Sequence, residues 1–536
     1  MASNYEWSDG YVSEIDYTFG YYPELNPLRI AHAQLHAGIR RIEKPRPRYL
    51  ELGYGQGLSL NIHAAAISGE YWGTDFNPSQ AAGSLEMAHA SGAPLNLLDA
   101  SFDELLRNDD LPTFDIIALH GVWSWISDEN RRHILEIIRR RLAPGGCVYI
   151  SYNCTPGWSP SMPLRHLLSL HANMAEGDAK GLLGRIEGAL SFANELVQAQ
   201  ARFFQINPSV VERLKAISGQ DRRYLAHEYF NADWHPTPFS ELASSLNQAK
   251  LSFGASANLL DHIEKLHVTE AGAQLLAKEK HVVLRETLRD YLVNQQFRRD
   301  IFIRGPRSLP LLERTKHLHD LAVVSLCDLS TIPMTIPGLV GEIKLSENIY
   351  RPIIETIQEI ESSKRSMDES CTLAMIEEKI RQLTATPINF AQIVQATTVL
   401  VHQGKLGLAQ RSEFVRSSQS HCDRLNTWII RQSAASGDIG FLASPIVGGV
   451  AVSRIEQLVM LVRSKESDNL NTIATTIWKI LEGQGQRLTK NGQALKDEAE
   501  NIEEMKLQVA TFLKDKYPIL KRLGIYCRPS DQEYYY

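Results

Sequence analysis

Three glycines in five residues, Gly53, Gly55 and Gly57, stand between an apolar run and a helical one, and no other feature constrains the fold as tightly. Tyr49-Leu-Glu-Leu reads as a strand and Leu58 to Ile67 as a helix, so the glycines make a strand-to-helix turn. Glycine lets a chain bend sharply and lets a ligand approach the backbone closely. The helix that follows aims its first N–H groups at such a ligand. The alternation then continues. Tyr71-Trp-Gly-Thr-Asp75, Leu95-Asn-Leu-Leu-Asp99 and Phe114-Asp-Ile-Ile-Ala-Leu-His120 read as strands. Ser79 to Ser91, Phe102 to Arg107 and Asp128 to Leu142 read as helices. After the stop Ala-Pro-Gly-Gly146, Cys147-Val-Tyr-Ile-Ser-Tyr152 reads as a fifth strand. This predicts an α/β fold, a mainly parallel sheet with helices on both faces.

Three acidic positions sort the ligands such a loop can hold. Glu51 precedes the loop, where an anion disfavours a pyrophosphate and can hold a cationic amino group. Asp75, followed by Phe76, ends the next strand 18 residues after Gly57, where a carboxylate can accept from both hydroxyls of a ribose. Asp99-Ala100 ends the third strand, where a carboxylate and a backbone N–H can read an adenine. All three fall at consecutive strand ends, the place where open α/β sheets bind ligands. A nicotinamide or flavin site, or a loop with no ligand, stays open as an alternative, although dinucleotide loops usually run GxGxxG.

A resemblance enters on these residues. Glu51-Leu-Gly-Tyr-Gly-Gln-Gly57, Gly73-Thr-Asp75, Leu98-Asp-Ala100, Phe114-Asp-Ile-Ile117 and Leu142-Ala-Pro-Gly-Gly146 resemble the successive motifs of class I methyltransferases. The likeness implies a Rossmann-like domain using S-adenosyl-L-methionine, with Tyr21, Tyr22, Glu51, Gly53, Gly55, Gly57, Asp75, Phe76, Asp99, Ala100 and His120 around it. A narrower likeness rests on Glu14-Ile-Asp-Tyr-Thr-Phe-Gly-Tyr-Tyr-Pro-Glu-Leu-Asn-Pro27, His120-Gly-Val-Trp-Ser-Trp125, Ser151-Tyr-Asn153, Pro156-Gly-Trp158, His227-Glu-Tyr-Phe230 and Leu442-Ala-Ser-Pro445. These are similar to bacterial proteins carrying a methyltransferase regulatory domain, among them rickettsial-type protein-lysine methyltransferases of outer-membrane surface proteins. That likeness implies a protein substrate and mostly helical accessory domains, one of them for dimerisation.

The acceptor is read from the fourth and fifth strand ends. A lysine has to react as a neutral amine, and apolar walls lower its pKa; aromatic faces hold an ammonium by about 0.5–2 kcal/mol. His120, Trp123, Trp125, Tyr152 and Asn153, with Trp158 nearby and Tyr21 and Tyr22 folding over from an aromatic N-terminal arm that also holds Tyr11, Tyr17 and Phe19, form such an edge. Each has a plainer role open to it: the tryptophans as packing beneath the following helix, His120 as a structural hydrogen-bonder, the two tyrosines as core staples. His227 and Glu228 are expected to be structural, since no second histidine stands at helical spacing. No metal ligand set is expected. A surface glycan or small metabolite is the alternative acceptor, with His120 as its base; a binding module without turnover is a third reading.

Charge and composition narrow the partners. With 56 basic against 62 acidic residues and a net charge of −6, nothing suggests nucleic acid, and Arg139-Arg-Arg141 suits a helix C-terminus. The six cysteines lie apart without a CxxC pair, which fits a reducing compartment. No apolar run approaches the ~20 residues of a membrane helix and the N-terminus is no signal peptide, so a cytoplasmic protein is expected. The expected organisation is an arm and helix over 1–46, a catalytic domain over 47–160, a helical region over 161–215, a regulatory domain over 216–300, a middle domain over 301–410 and a mostly helical C-terminal domain over 411–536.

Overall fold

The computed structural model describes residues 18–174, 181–338, 341–363, 370–383, 388–465, 469–490 and 492–526. Tyr11, Tyr17 and the terminal tyrosines lie outside them. After α1 (Pro27–His36), the alternation unfolds as β1 (Arg48–Leu52), α2 (Leu58–Ala66), β2 (Glu70–Asp75), α3 (Pro78–Ser91), β3 (Leu95–Asp99), α4 (Phe102–Arg107), β4 (Phe114–Leu119), α5 (Asp128–Arg141) and β5 (Leu142–Asn153). These five strands are parallel, in the order β3-β2-β1-β4-β5. The order reverses between β1 and β4, so a crevice opens at their C-terminal ends.

The sheet does not finish there. A helical insertion follows: α6 (Met162–Met174), α7 (Gly181–Gln198), α8 (Arg202–Ile206), α9 (Pro208–Ser218) and α10 (Arg222–Tyr229). It packs around its own core of Trp158, Leu168, Ile186, Leu214 and Tyr229. The chain then returns through α11 (Phe239–Gln248) to β6 (Leu251–Ser256) and, later, β7 (Phe297–Arg304). β7 slots between β5 and β6, antiparallel to both, and completes seven strands in the order β3-β2-β1-β4-β5-β7-β6. A catalytic unit ending at residue 160 is thereby corrected: its last two strands come from 251–304. Arg298, Arg299 and Arg304 belong to β7 itself.

Side chains alternate across the sheet as a strand requires. Tyr49, Ile116, Ala118, Tyr149 and Ile301 face α1. Leu50, Ile117, Leu119, Val148, Tyr152 and Phe302 face α5 and α11. Helix α1 starts where its caps predict, with Pro27 at the first position and the Asn26 side chain accepting from Leu28 N–H at 2.9 Å. The C-terminal region folds back on the other helices of the sheet: the helix Ser412–Gln432 lies against α2 and α3. Residues 445–447 make the turn of a hairpin, Phe441–Ser444 with Gly448–Ala451. No helix among the described residues is long and apolar enough to cross a membrane.

Candidate cofactor and methyl-transfer site

Gly53, Gly55 and Gly57 all adopt positive φ, at 72°, 57° and 69°, conformations that cost any other residue strain. Their surroundings differ. A Cβ on Gly53 would sit 2.7 Å from a Val122 methyl, and one on Gly57 would run into the Ser84 side chain, so these two glycines let elements pack. A Cβ on Gly55 would meet nothing within 4 Å: the tip of the loop is open. The Gly55 N–H is held by Asp75 Oδ2 at 2.8 Å, and Asp75 Oδ1 accepts from Asn77 N–H at 3.0 Å. The Phe76 N–H is a third backbone donor to this carboxylate. Burial pushes the Asp75 carboxyl up to about 6 against the pull of those backbone N–H groups.

Glu51 lies on β1, buried beside Tyr49, whose hydroxyl donates to Oε2 at 3.4 Å. Burial raises its carboxyl to about 8. No cation among the described residues pairs with Glu51 or Asp75. Asp99 is exposed beside Asp75 in the β2–β3 register. The Ala100 N–H expected to read a ring is already engaged, donating to the Asp75 carbonyl at 3.0 Å, and its own carbonyl accepts from Thr74 Oγ1 at 2.5 Å. That leaves the Asp99 carboxylate and the half-buried Phe76 at this rim.

At the other end of the crevice, His120 follows β4. Its ring stacks on Tyr22 with centroids 4.0 Å apart, and Nδ1 meets the Tyr149 hydroxyl at 2.9 Å. The Tyr22 N–H donates to Ser59 Oγ at 3.0 Å, which pins the arm to α2. Burial lowers His120 to about 4, Glu24 opposing and Arg299 assisting, so the imidazole is neutral near pH 7 and a feeble base. Gly121 (φ 67°) opens to free space, as Gly55 does.

The remaining expected residues divide. Tyr21 points away from Tyr22, into packing against His63 (centroids 5.4 Å) and the backbone of Gly449. Trp123 is buried in the core beneath α5. Tyr152 is buried on the same face and donates to Asp300 at 2.7 Å. Neither lines a channel. Asn153 Oδ1 accepts from the Trp158 indole at 3.1 Å. Trp125 lies 6.3 Å from Trp234, and Trp234 lies 5.2 Å from Trp158. The aromatic edge is therefore two groups: Tyr22, His120 and Tyr149 on the α1 side, and three indoles under the helical insertion. Sequence reasoning passed over Tyr149, Glu24, Arg299 and Ser59. Tyr149 had a signal, since it lies an even number of residues from Asn153 and so shares its side of the strand.

Comparison with known proteins fits this geometry. Residues 50–148 match the family described as "Methyltransferase domain", and residues 221–304 that described as "Predicted methyltransferase regulatory domain". The uncharacterized protein sll1526 of Synechocystis is 34% identical over 524 residues, 97% of this chain and 99% of that one. The chain belongs to the class I S-adenosylmethionine-dependent methyltransferases that carry a regulatory domain. The fold of PKMT2 from Rickettsia typhi, solved in complex with AdoHcy, covers 95% of this methyltransferase at 16% identity with a TM-score of 0.64. The uncharacterized protein RP789 of Rickettsia prowazekii is 24% identical over 296 residues, 53% of this chain and 51% of its own.

The residues present fit the cofactor of that family. S-adenosylmethionine carries cations on its sulfonium and amino groups and a diol on its ribose. The methyltransferase supplies a buried Glu51 with no cation beside it among the described residues, an Asp75 carboxylate held by backbone N–H groups alone, and a loop tip open at Gly55. A buried carboxyl without a cation is costly. Glu51 would face the amino group and Asp75 the diol. When bound, the cofactor supplies an already activated methyl group, so the chain's task is placement and exclusion of water. The regulatory-domain segment completes the sheet of this site, because it contributes β6 and β7.

Proposed function

We propose that this methyltransferase acts on the side-chain nitrogen of lysine in a protein, a bacterial surface protein being the substrate class the motifs favour. The carrying observation is the neutral, weakly basic His120 between Tyr22 and Tyr149. A hydroxyl acceptor benefits from a competent general base at the reacting atom, and an imidazole near 4 is a poor one. An amine needs desolvation and aromatic faces, which Tyr22 and the half-buried Trp125 and Trp234 offer. The catalytic set is then His120, with Trp125 and Asn153 bordering the acceptor path, and the cofactor set Tyr22, Glu51, Gly53, Gly55, Gly57, Asp75, Phe76 and Asp99. The large chain beyond the sheet suits gripping a protein. Met162, Leu170, Met174 and Leu183 leave apolar surface exposed on α6 and α7, which supports a homodimer formed through these helices. Widely spaced cysteines, free where described, support a cytoplasmic site of action. Incubation with radiolabelled cofactor and a lysate of the host, followed by amino-acid analysis, tests the acceptor. Methyl-lysine is expected; label confined to small molecules or polysaccharide overturns the reading.

A further inference from the structure

A lysine arrives as an ammonium and has to lose a proton before its nitrogen can attack. His120 is poorly suited to take it, since burial and Arg299 already oppose a positive charge there. Helix α10 offers another group. Its Tyr229 ring lies 6.2 Å from Trp158, whose indole donates to Asn153 at the end of β5, so α10 stands over the strand ends. Tyr224 and Glu228, four residues apart, share one face of this helix. The Tyr224 phenol feels both the Glu228 carboxyl and the Tyr22 phenol electrostatically, and Tyr22 is the residue stacked on His120. Through Trp158 and Asn153, α10 is packed at the end of β5, and Tyr224 is its residue nearest in charge to Tyr22.

Glu228 is half-buried, yet among the described residues it accepts no hydrogen bond and closes no ion pair. The cations nearest to it are held elsewhere. Arg213, from α9, stacks over Trp158 at 4.8 Å and donates to the Tyr229 hydroxyl at 2.8 Å. Arg165, from α6, stacks over Trp234 at 4.7 Å and donates to the Asn231 carbonyl at 2.6 Å. A carboxylate flanked by two guanidiniums that do not bridge it is available to a cation from outside.

We infer that Glu228 takes the proton from the acceptor ammonium; this rests on the lysine reading. The N–H bond breaks, an O–H bond forms on the carboxyl, and the electron pair stays on nitrogen for its attack. Burial pushes Glu228 up to about 7, while Arg213 and Arg165 pull it back. The other groups facing it are Tyr224 and Tyr229, with Asp233 beyond Arg165. Such a carboxyl is ionised above neutrality and still basic enough to act.

The test is turnover against pH for wild type, Glu228→Gln and Glu228→Asp, with radiolabelled cofactor and a dialysed protein fraction of the host as acceptor. Glu228→Gln is expected to be slower by ~10²-fold at pH 7. Its deficit should shrink toward pH ~10, where lysine loses its proton unaided. Glu228→Asp should keep an acid limb near neutrality, and calorimetry should find cofactor affinity unchanged in both. A deficit that is the same at every pH, or a wild-type profile in Glu228→Gln, overturns the inference while leaving the lysine reading intact. If Glu228→Gln fails to fold, Glu228→Asp decides, and loss of its neutral acid limb overturns the inference. Wild type that puts no label on lysine overturns the lysine reading, and this step with it.

Discussion

Two sets of buried carboxyl groups lie on opposite faces of the same sheet, and they are treated in opposite ways. On the α11 face, Asp300, Asp290 and Glu286 converge on the Arg298 guanidinium at 2.7, 2.5 and 3.1 Å, and Tyr152 adds a hydrogen bond to Asp300 at 2.7 Å. On the α1 face, Glu51 has a phenol, and at the crevice Asp75 has backbone N–H groups; neither has a cation. Burial raises carboxyls in both places, Asp290 to about 7 and Glu51 to about 8. Arg298 opposes the rise in the first set, whereas only the Tyr49 hydrogen bond opposes it at Glu51. A buried charge whose counter-ion lies in the chain binds one segment to another, here β7 to the helix Val282–Val293. A buried charge without one is maintained against stability and points to a cation that comes from outside.

The largest effect should come from breaking the paired set. Arg298→Met leaves three carboxyls without their shared partner and removes a guanidinium that stacks over Phe239 at 4.3 Å. Removing one partner of a buried pair typically costs about 3–5 kcal/mol, to be read by urea unfolding. A loss below ~1 kcal/mol would mean that the cluster does not hold β7 to that helix. Asp75→Ala should behave the other way. It is expected to weaken cofactor binding by about 1.5–3 kcal/mol, the range for hydrogen bonds to a charged group, as measured by calorimetry. Undiminished affinity would move the diol site away from the end of β2.

The contrast also explains what could be read in advance. The five parallel strands were legible because each is an apolar run closed by glycine, proline or an acidic residue at the ligand end. β7 was not, because Arg298 and Asp300 make it look like a polar loop, and only their mutual pairing lets them be buried. Glu51 stood out as an acid within an apolar strand. Tyr149 and Tyr152 could not be weighed correctly by proximity alone. They lie three residues apart, so the pleat sends them to opposite faces, one to His120 and the other to Asp300. Tyr21 and Tyr22 lie in an arm without regular periodicity, and their divergence has no sequence signal. His227 was expected to be structural and is buried. Glu228, its neighbour in sequence, is half-buried instead, because a helix turns about 100° between adjacent residues.

The smallest effects should appear on replacing Glu51 by glutamine, and they isolate the unpaired half of the comparison. The folded carboxyl titrates near 8 against an ordinary value of 4.5. Its contribution to stability is therefore fully present below about 4.5 and is lost as pH rises through 8. The wild-type apoprotein should become less stable between about pH 5 and 8, and Glu51→Gln should flatten that slope, leaving the variant the more stable of the two at pH 8. Cofactor binding reverses the sign. The cationic amino group favours the ionised carboxyl, so at pH 7 wild type should release close to one proton on binding, seen as a calorimetric heat that changes with the ionisation enthalpy of the buffer. Glu51→Gln should bind more weakly and lose that buffer dependence. A variant that keeps the proton release would assign it to Asp75, raised to about 6, and would make Asp75 rather than Glu51 the group whose charge is completed from outside.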